Sequence, residues 1–327
     1  VTATAELPVE GELPELAGAT AWLNSAPLTP AGLRGRVVVV QFCTFSCINW
    51  LRTVPYVRAW AAKYRDAGLV LIGAHSPEFP FEHDLAKIRA ALGDLGIEHP
   101  VAVDNDFVVW RAFDNAYWPA LYFVDAGGRI RHHHFGEEDY ERSERVIQQL
   151  LAEAGHDGVA DDLVAVEPDG VFRAADWDRL GSPETYVGYA RATGFASPGG
   201  ISPDRGRVYA EPPRLALNQW ALSGDWTVGS QSATLGEPDG RILHRFRGRD
   251  LNLVLGSRTE APVHFRVRVD GRPPDGSAGL DVDGRGAGTV TEDRLYQLVR
   301  QDGPVADRTV EITFLDAGAQ AYVFTFG

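Results

Sequence analysis

The chain has 327 residues, 44% hydrophobic, 23% charged and 10% aromatic, with two cysteines and a formal net charge of -14. That negative balance excludes nucleic acid and anionic membrane surfaces as main partners. No apolar run approaches the roughly 20 residues of a membrane span, and two cysteines in such a length exclude a disulfide scaffold.

The length predicts two domains. Residues 1–36 read as an extended, Pro- and Gly-punctuated lead-in anchored by Trp22 and Leu23. Val37 to Phe42 is a β-branched apolar run, the pattern of a strand buried on both faces. A helical pattern follows from Ile48, with Leu51, Tyr56, Val57, Trp60 and Tyr64 on one broad face and Pro55 expected to kink it. Leu69 to Ala74 is a second strand. Leu85, Ile88, Leu92 and Leu95 stand at helical spacing, with Gly96 as the stop. Val101 to Val103 is a brief strand and Asp106 to Phe113 a short helix. Ala120 to Asp125 and Arg129 to Phe135 flank Ala126-Gly-Gly and read as a hairpin. Tyr140, Ile147, Leu150 and Leu151 mark a closing helix that ends near Gly155. The order β-α-β-α-β-α-β-β-α predicts an α/β sheet with helices on both faces.

Residues 156–182 are Asp-, Gly- and Pro-rich and read as a linker and packing segment, with a short turn near Trp177. Beyond them, short alternating runs recur between Gly and Pro: Arg241 to Phe246, Leu251 to Leu255, Val263 to Val269, Val310 to Leu315 and Tyr322 to Phe326. This spacing predicts an all-β sandwich of jelly-roll type. The domains are therefore expected at 1–155 and 183–327.

Both cysteines, Cys43 and Cys47, lie where the first strand gives way to the first long helix. Cys47 falls at the helix start, where unpaired N–H groups and the positive end of the helix dipole stabilise a thiolate. Such a placement lowers a cysteine pKa from about 8.5 into a range of roughly 3.5–7.5. Cys47 is thus the expected nucleophile. A strand-to-helix turn of this length can bring two Cα atoms within the roughly 4.4–6.8 Å a disulfide needs, so Cys43 is the expected partner.

Thr44-Phe-Ser-Cys-Ile-Asn, His75-Ser-Pro-Glu-Phe, Asp104-Asn-Asp, Tyr117-Trp-Pro-Ala and His133-His-Phe-Gly-Glu resemble the thioredoxin-fold portion of DipZ-type thiol:disulfide proteins. Leu215-Ala-Leu-Asn-Gln-Trp and Gly224-Asp-Trp-Thr-Val-Gly are similar to the carbohydrate-binding-module-like sandwich that follows in that family. The resemblance covers nearly the whole chain. It implies a thioredoxin fold, a reactive Cys-x-x-Cys motif, a cis proline at Pro119 facing the nucleophile, and an extracytoplasmic site. Cys47 matches the first cysteine of the motif, but Trp50 stands at the second and Cys43 where these proteins carry a tryptophan. The resulting Cys-x3-Cys resembles that of SCO-type copper chaperones, and Thr44-x-x-Cys47 resembles part of the peroxiredoxin motif, whose proline is replaced here by Val40.

Cys47, resolved by Cys43, is therefore expected to act on disulfides through a mixed disulfide, or on peroxides through a sulfenic acid, with an external thiol reductant. Thr44, Trp50 and Trp118 are expected to line the site beside Pro119, the two tryptophans either shielding Cys47 or serving as core. His75 and Glu78 are placed to exchange a proton with sulfur or peroxide. No cofactor or metal is expected; the alternative is a Cu(I) site on Cys43, Cys47 and His75. His132 to His134 read as a solvated arm, because alternate strand residues point to opposite faces. The sandwich is expected to dock a protein partner or, if aromatics such as Trp220 and Trp226 are exposed, a glycan. The stretch Val1-Thr-Ala-Thr-Ala-Glu-Leu-Pro has no basic or apolar segment. The chain as given reads as cytoplasmic, or as extracytoplasmic if a signal or anchor has been removed.

Overall fold

The computed structural model describes residues 6–156, 158, 160–259 and 261–327. Val1 to Ala5, on which part of the reading of the N-terminus rests, lie outside the described residues. The chain divides into two compact units, Val1–Phe172 and Arg173–Gly327.

In the first unit the strands are β1 (Gly11–Glu12), β2 (Ala21–Leu23), β3 (Val37–Cys43), β4 (Leu69–His75), β5 (Val101–Val103), β6 (Ala120–Val124) and β7 (Arg129–Phe135). The helices are α1 (Pro30–Leu33), α2 (Ile48–Tyr64), α3 (Leu85–Asp94), α4 (Val108–Ala112) and α5 (Tyr140–Glu153). The sheet runs β1-β7-β6-β3-β4-β5-β2. β3, β4 and β5 are parallel neighbours. β6 joins β3 antiparallel and β7 continues the hairpin. This mixed sheet is the thioredoxin arrangement.

β3 is buried along its whole length because both of its faces are covered. Val38, Val40 and Phe42 pack with Leu13, Leu16, Val109 and Phe113 on one side. Val37 and Val39 pack with Val57, Trp60, Ile147 and Leu150 of α2 and α5 on the other. Alternation then places Gln41 and Cys43 on the α2 side. α2 continues through Pro55 to Tyr64. Gly96, with φ of 60°, ends α3, and the N–H of Ile97 returns to the Leu92 carbonyl.

After α5 the chain packs back on the first unit: Val164 N donates to Glu144 of α5 at 3.0 Å, and the 3-10 turn Gly170–Phe172 lies against α2. A hydrogen-bonded turn follows at Asp176 to Leu180.

The second unit is all β: β8 (Thr185–Tyr186), β9 (Gly206–Tyr209), β10 (Trp220–Val228), β11 (Ala233–Leu235), β12 (Gly240–Arg247), β13 (Asp250–Ser257), β14 (Val263–Val269), β15 (Ala287–Val290), β16 (Arg294–Arg300), β17 (Asp307–Phe314) and β18 (Ala319–Phe326). β15-β14-β17-β12 form one layer and β11-β18-β13-β16 the other, with β10 shared between them. Trp220 to Ser223 pair with β12, whereas Gly224 to Thr227 pair with β9 and Trp226 to Val228 with β11. The crossover falls at Gly224, whose φ is 95° and where an added Cβ would lie 2.9 Å from the Gly240 Cα. Only glycine fits there. Strands that pass from one sheet to the other make the corners of such sandwiches.

β12, β13, β14, β17 and β18 fall on the runs named from the sequence, although β13 and β18 are buried along most of their length. β8, β9, β10, β11, β15 and β16 lie outside those runs; in β10 the Ser223-Gly-Asp stretch interrupts the pattern. Trp220 and Trp226 are both fully buried in the core. Their rings are unavailable to a sugar.

Candidate functional site

The cysteine turn runs from the end of β3 to the start of α2. Thr44, Phe45 and Ser46 are all buried. Cys47 N donates to Thr44 O at 3.2 Å, and Leu51 N to Cys47 O at 2.9 Å. Cys47 is thereby the N-cap of α2, with extended backbone angles and no side-chain capping bond. It is half-buried, and its Sγ lies 4.0 Å from the Trp118 carbonyl. The Trp118–Pro119 peptide is cis. Pro119 is buried, while Trp118 is half-buried, packs on Trp110 with ring centroids 4.3 Å apart, and donates from its indole to Ser76 O at 3.0 Å. The nucleophile predicted from sequence therefore faces a backbone edge held by an aromatic pair.

Cys43 is the last residue of β3 and only 2% exposed. Both cysteines are thiols. Burial, reinforced by the negative charge of Glu82, pushes the Cys43 thiol far above its ordinary range. His75 stands in register beside it on β4, on the same face of the sheet. Its ring stacks on Phe45 at 5.7 Å, and neither ring nitrogen has a hydrogen-bond partner. Burial pulls its pKa down to about 3 and keeps the imidazole neutral. As a proton donor to an incoming substrate it is poorly placed.

Trp50 does not wall the site. It is 2% exposed, and its indole donates to Gln41 Oε1 at 3.2 Å beneath α2. Gln41 Nε2 donates to Thr53 Oγ1 at 2.8 Å, and Thr53 Oγ1 to the Trp50 carbonyl at 2.7 Å. At the position of a second cysteine the chain thus has a large side chain locked into the strand below. Glu78 is half-buried in the loop after β4.

Sequence reading passed over Glu82. This carboxylate, on the 3-10 turn Pro80–His83, is fully buried. Its Oε1 accepts from Ser46 Oγ at 2.6 Å and Ser46 N at 3.3 Å. Its Oε2 accepts from Glu78 N at 2.6 Å and Phe79 N at 2.9 Å. Among the described residues no Lys or Arg pairs with it, and burial raises its pKa above the ordinary value of 4.5. The capping-box signature that would have flagged it is incomplete, because Phe79, three residues earlier, has no side-chain oxygen. Asp104, also buried, supports the opposite wall, accepting from Val109 N, Trp110 N and Ser76 Oγ.

Among the described residues no three His, Cys, Asp or Glu side chains are grouped as a metal site requires. His133 instead meets Glu10 at 2.7 Å, and His134 meets Glu137 O at 3.1 Å. Also among the described residues, no helix is long and apolar enough to cross a membrane.

A mixed sheet with an N-capping cysteine opposite a cis proline defines a thioredoxin-like thiol redox protein. The family model described as "Thioredoxin like C-terminal domain" matches residues 182–327. Protein DipZ of Mycobacterium bovis is 36% identical over 328 residues, covering 99% of this chain. The chain spans 44% of the length of that relative. Thiol-disulfide oxidoreductase YkuV of Bacillus subtilis is 30% identical over 141 residues, 43% of this chain and 95% of its own length. The solution structure of a thioredoxin-like protein in the oxidised form is 32% identical, covering 44% of this chain and 96% of its own, with a TM-score of 0.41. The chain belongs to the thioredoxin-like thiol-disulfide oxidoreductase family.

Proposed function

We propose that this chain reduces or exchanges disulfides, with Cys47 as nucleophile and Cys43 as resolving thiol. The observation that carries the reading is the placement of Cys47: at the N-terminus of α2, half-exposed, and 4.0 Å from the carbonyl of the cis Trp118–Pro119 edge. The N–H groups at the start of α2 favour thiolate there. The thiolate attacks one sulfur of the substrate, the other leaves as thiolate, and a mixed disulfide on Cys47 results. Trp50 supplies no second sulfur, which leaves Cys43, on the other side of Cys47, to displace the substrate. The resulting Cys43–Cys47 disulfide is reopened by an external thiol reductant. A peroxide would use the same pair through a sulfenic acid on Cys47. The disulfide is preferred because an extended substrate backbone has an edge to lie against at Trp118–Pro119. For the second unit, with Trp220 and Trp226 in its core, we assign docking of a protein partner over recognition of a glycan.

Intact mass after mild oxidation tests the pair. The wild type is expected to lose two hydrogens, and Cys43→Ala to accumulate a mixed disulfide or sulfenic acid on Cys47. Persistence of both thiols in the wild type would rule out the reading. Steady-state turnover with a protein disulfide and with hydrogen peroxide then ranks the substrates.

A further inference from the structure

Cys47 and the Trp118–Pro119 edge come together from segments that the sheet does not fix directly. Cys47 lies four residues beyond the end of β3, and Pro119 one residue before the start of β6. A buried ion pair links α2 to the chain behind the proline. Arg52 stands on α2, five residues after Cys47, and its Nη1 meets Glu137 Oε1 at 2.8 Å, with the side chains 1% and 5% exposed. Glu137 directly follows Gly136, whose N–H donates to the Pro119 carbonyl at 2.8 Å. A second contact runs beside the first: the Tyr140 hydroxyl donates to the Arg52 carbonyl at 3.4 Å, and its ring stacks on Tyr56 of α2 at 3.6 Å. Stability alone does not account for such a pair. Taking two charges out of water offsets much of their attraction, and apolar replacements of buried pairs are often as stable or more so. Burial raises the Glu137 pKa above its ordinary value, against the opposing pull of Arg52. What a buried pair adds is a fixed geometry, and the geometry fixed here is that of the gap beside the nucleophile.

We propose that Arg52 and Glu137 are positioning residues that set the gap between Cys47 and the Trp118–Pro119 edge for an extended polypeptide disulfide, a proposal that rests on the reading of Cys47 above. Neither side chain exchanges a proton or forms a bond in the reaction; both act through the chain they join. Arg52 holds the first turns of α2, and Glu137 holds Gly136 and through it the Pro119 carbonyl. The consequence is selectivity between disulfides. A small disulfide needs only the Cys47 thiolate, which the start of α2 stabilises. A polypeptide must also lie with its backbone against the edge, where a misplacement of about 1 Å is enough to lose about a hundredfold in rate. The pair therefore favours polypeptide over small disulfides.

Two probes with the same leaving group separate these demands: 5,5′-dithiobis(2-nitrobenzoate), and a linear peptide whose central cysteine carries thionitrobenzoate as a mixed disulfide. Attack by Cys47 of the reduced chain releases one thionitrobenzoate from either. Glu137→Gln keeps the shape of the side chain and removes its charge. It is expected to raise the half-saturating peptide concentration about tenfold or more, while the rate with the small disulfide stays within about twofold of wild type. Glu137→Asp keeps both charges on an arm one methylene shorter and is expected to fall between the two. An equal loss with both probes would overturn the proposal, because it would make the pair a support of the fold alone. So would wild-type selectivity in Glu137→Gln or, if that variant fails to fold, in Glu137→Asp. A wild type that releases no thionitrobenzoate from either probe is a different result: it would remove Cys47 as nucleophile, and this proposal with it.

Discussion

Cys47 and Trp50 stand three positions apart with opposite burial, and the difference defines the chemistry. Cys47 caps α2 and is half-buried, while Trp50 is locked under the helix by Gln41 and Thr53. Cys47→Ala is therefore expected to abolish disulfide reduction, measured as turnover of a protein disulfide, with the fold retained. Trp50→Ala should act on stability. It empties a large buried volume and orphans the Gln41 carbonyl, at a cost of about 3–5 kcal/mol. Urea denaturation of the first unit measures this. A Trp50→Ala protein as stable as the wild type would refute the packing argument.

Two local devices hold the elements in place, and each has a substitution that isolates it. α4 begins at Phe107, a left-handed residue with no capping side chain, and its orphan N–H groups go to Asp104 instead. Asp104→Ala is expected to cost about 0.5–2 kcal/mol. It should also loosen Trp110 against Trp118, read as increased fluorescence quenching by acrylamide. In the sandwich, β10 passes between layers at Gly224. Gly224→Ala puts a methyl against the Gly240 backbone in a left-handed conformation. It should destabilise the second unit by about 1–3 kcal/mol. Alanine substitution at the neighbouring Ser223 carries no such backbone penalty and serves as the control.

Among the described residues, each unit contains one fully buried histidine with no partner for either ring nitrogen: His75 in the first and His244 in the second. Burial lowers both pKa values from 6.5 to about 3. Between those values the unfolded chain binds a proton that the folded chain does not, so stability rises with pH across this window. The contribution is complete above the unfolded value of 6.5 and is lost as pH falls toward 3. The slope is about 1.4 kcal/mol per pH unit for each histidine. Urea midpoints at pH 7, 5 and 4 should fall accordingly. His244→Phe, which continues the ring packing of Phe324 and Phe326, should flatten the dependence of the second unit alone.

Short-range pattern determined much of this protein. A β-branched run giving way to a 3.6-residue period located the strand, the turn and the N-capping cysteine. The alternating runs of the sandwich were also legible, because each is set by neighbours a few residues apart, whereas the cis proline after Trp118 was implied by the family resemblance. What depended on distant chain was not. Glu82 reaches Ser46 across 36 residues, and nothing in Phe81-Glu-His says that its side chain points inward. The burial of Trp220, Trp226 and Trp50 followed from which faces were covered. The β10 crossover required knowing which strands lay on each side. A buried charge is held by partners that only folding assembles. The place of the cysteine turn was therefore readable from the sequence, and the environment around it was decided by the tertiary structure.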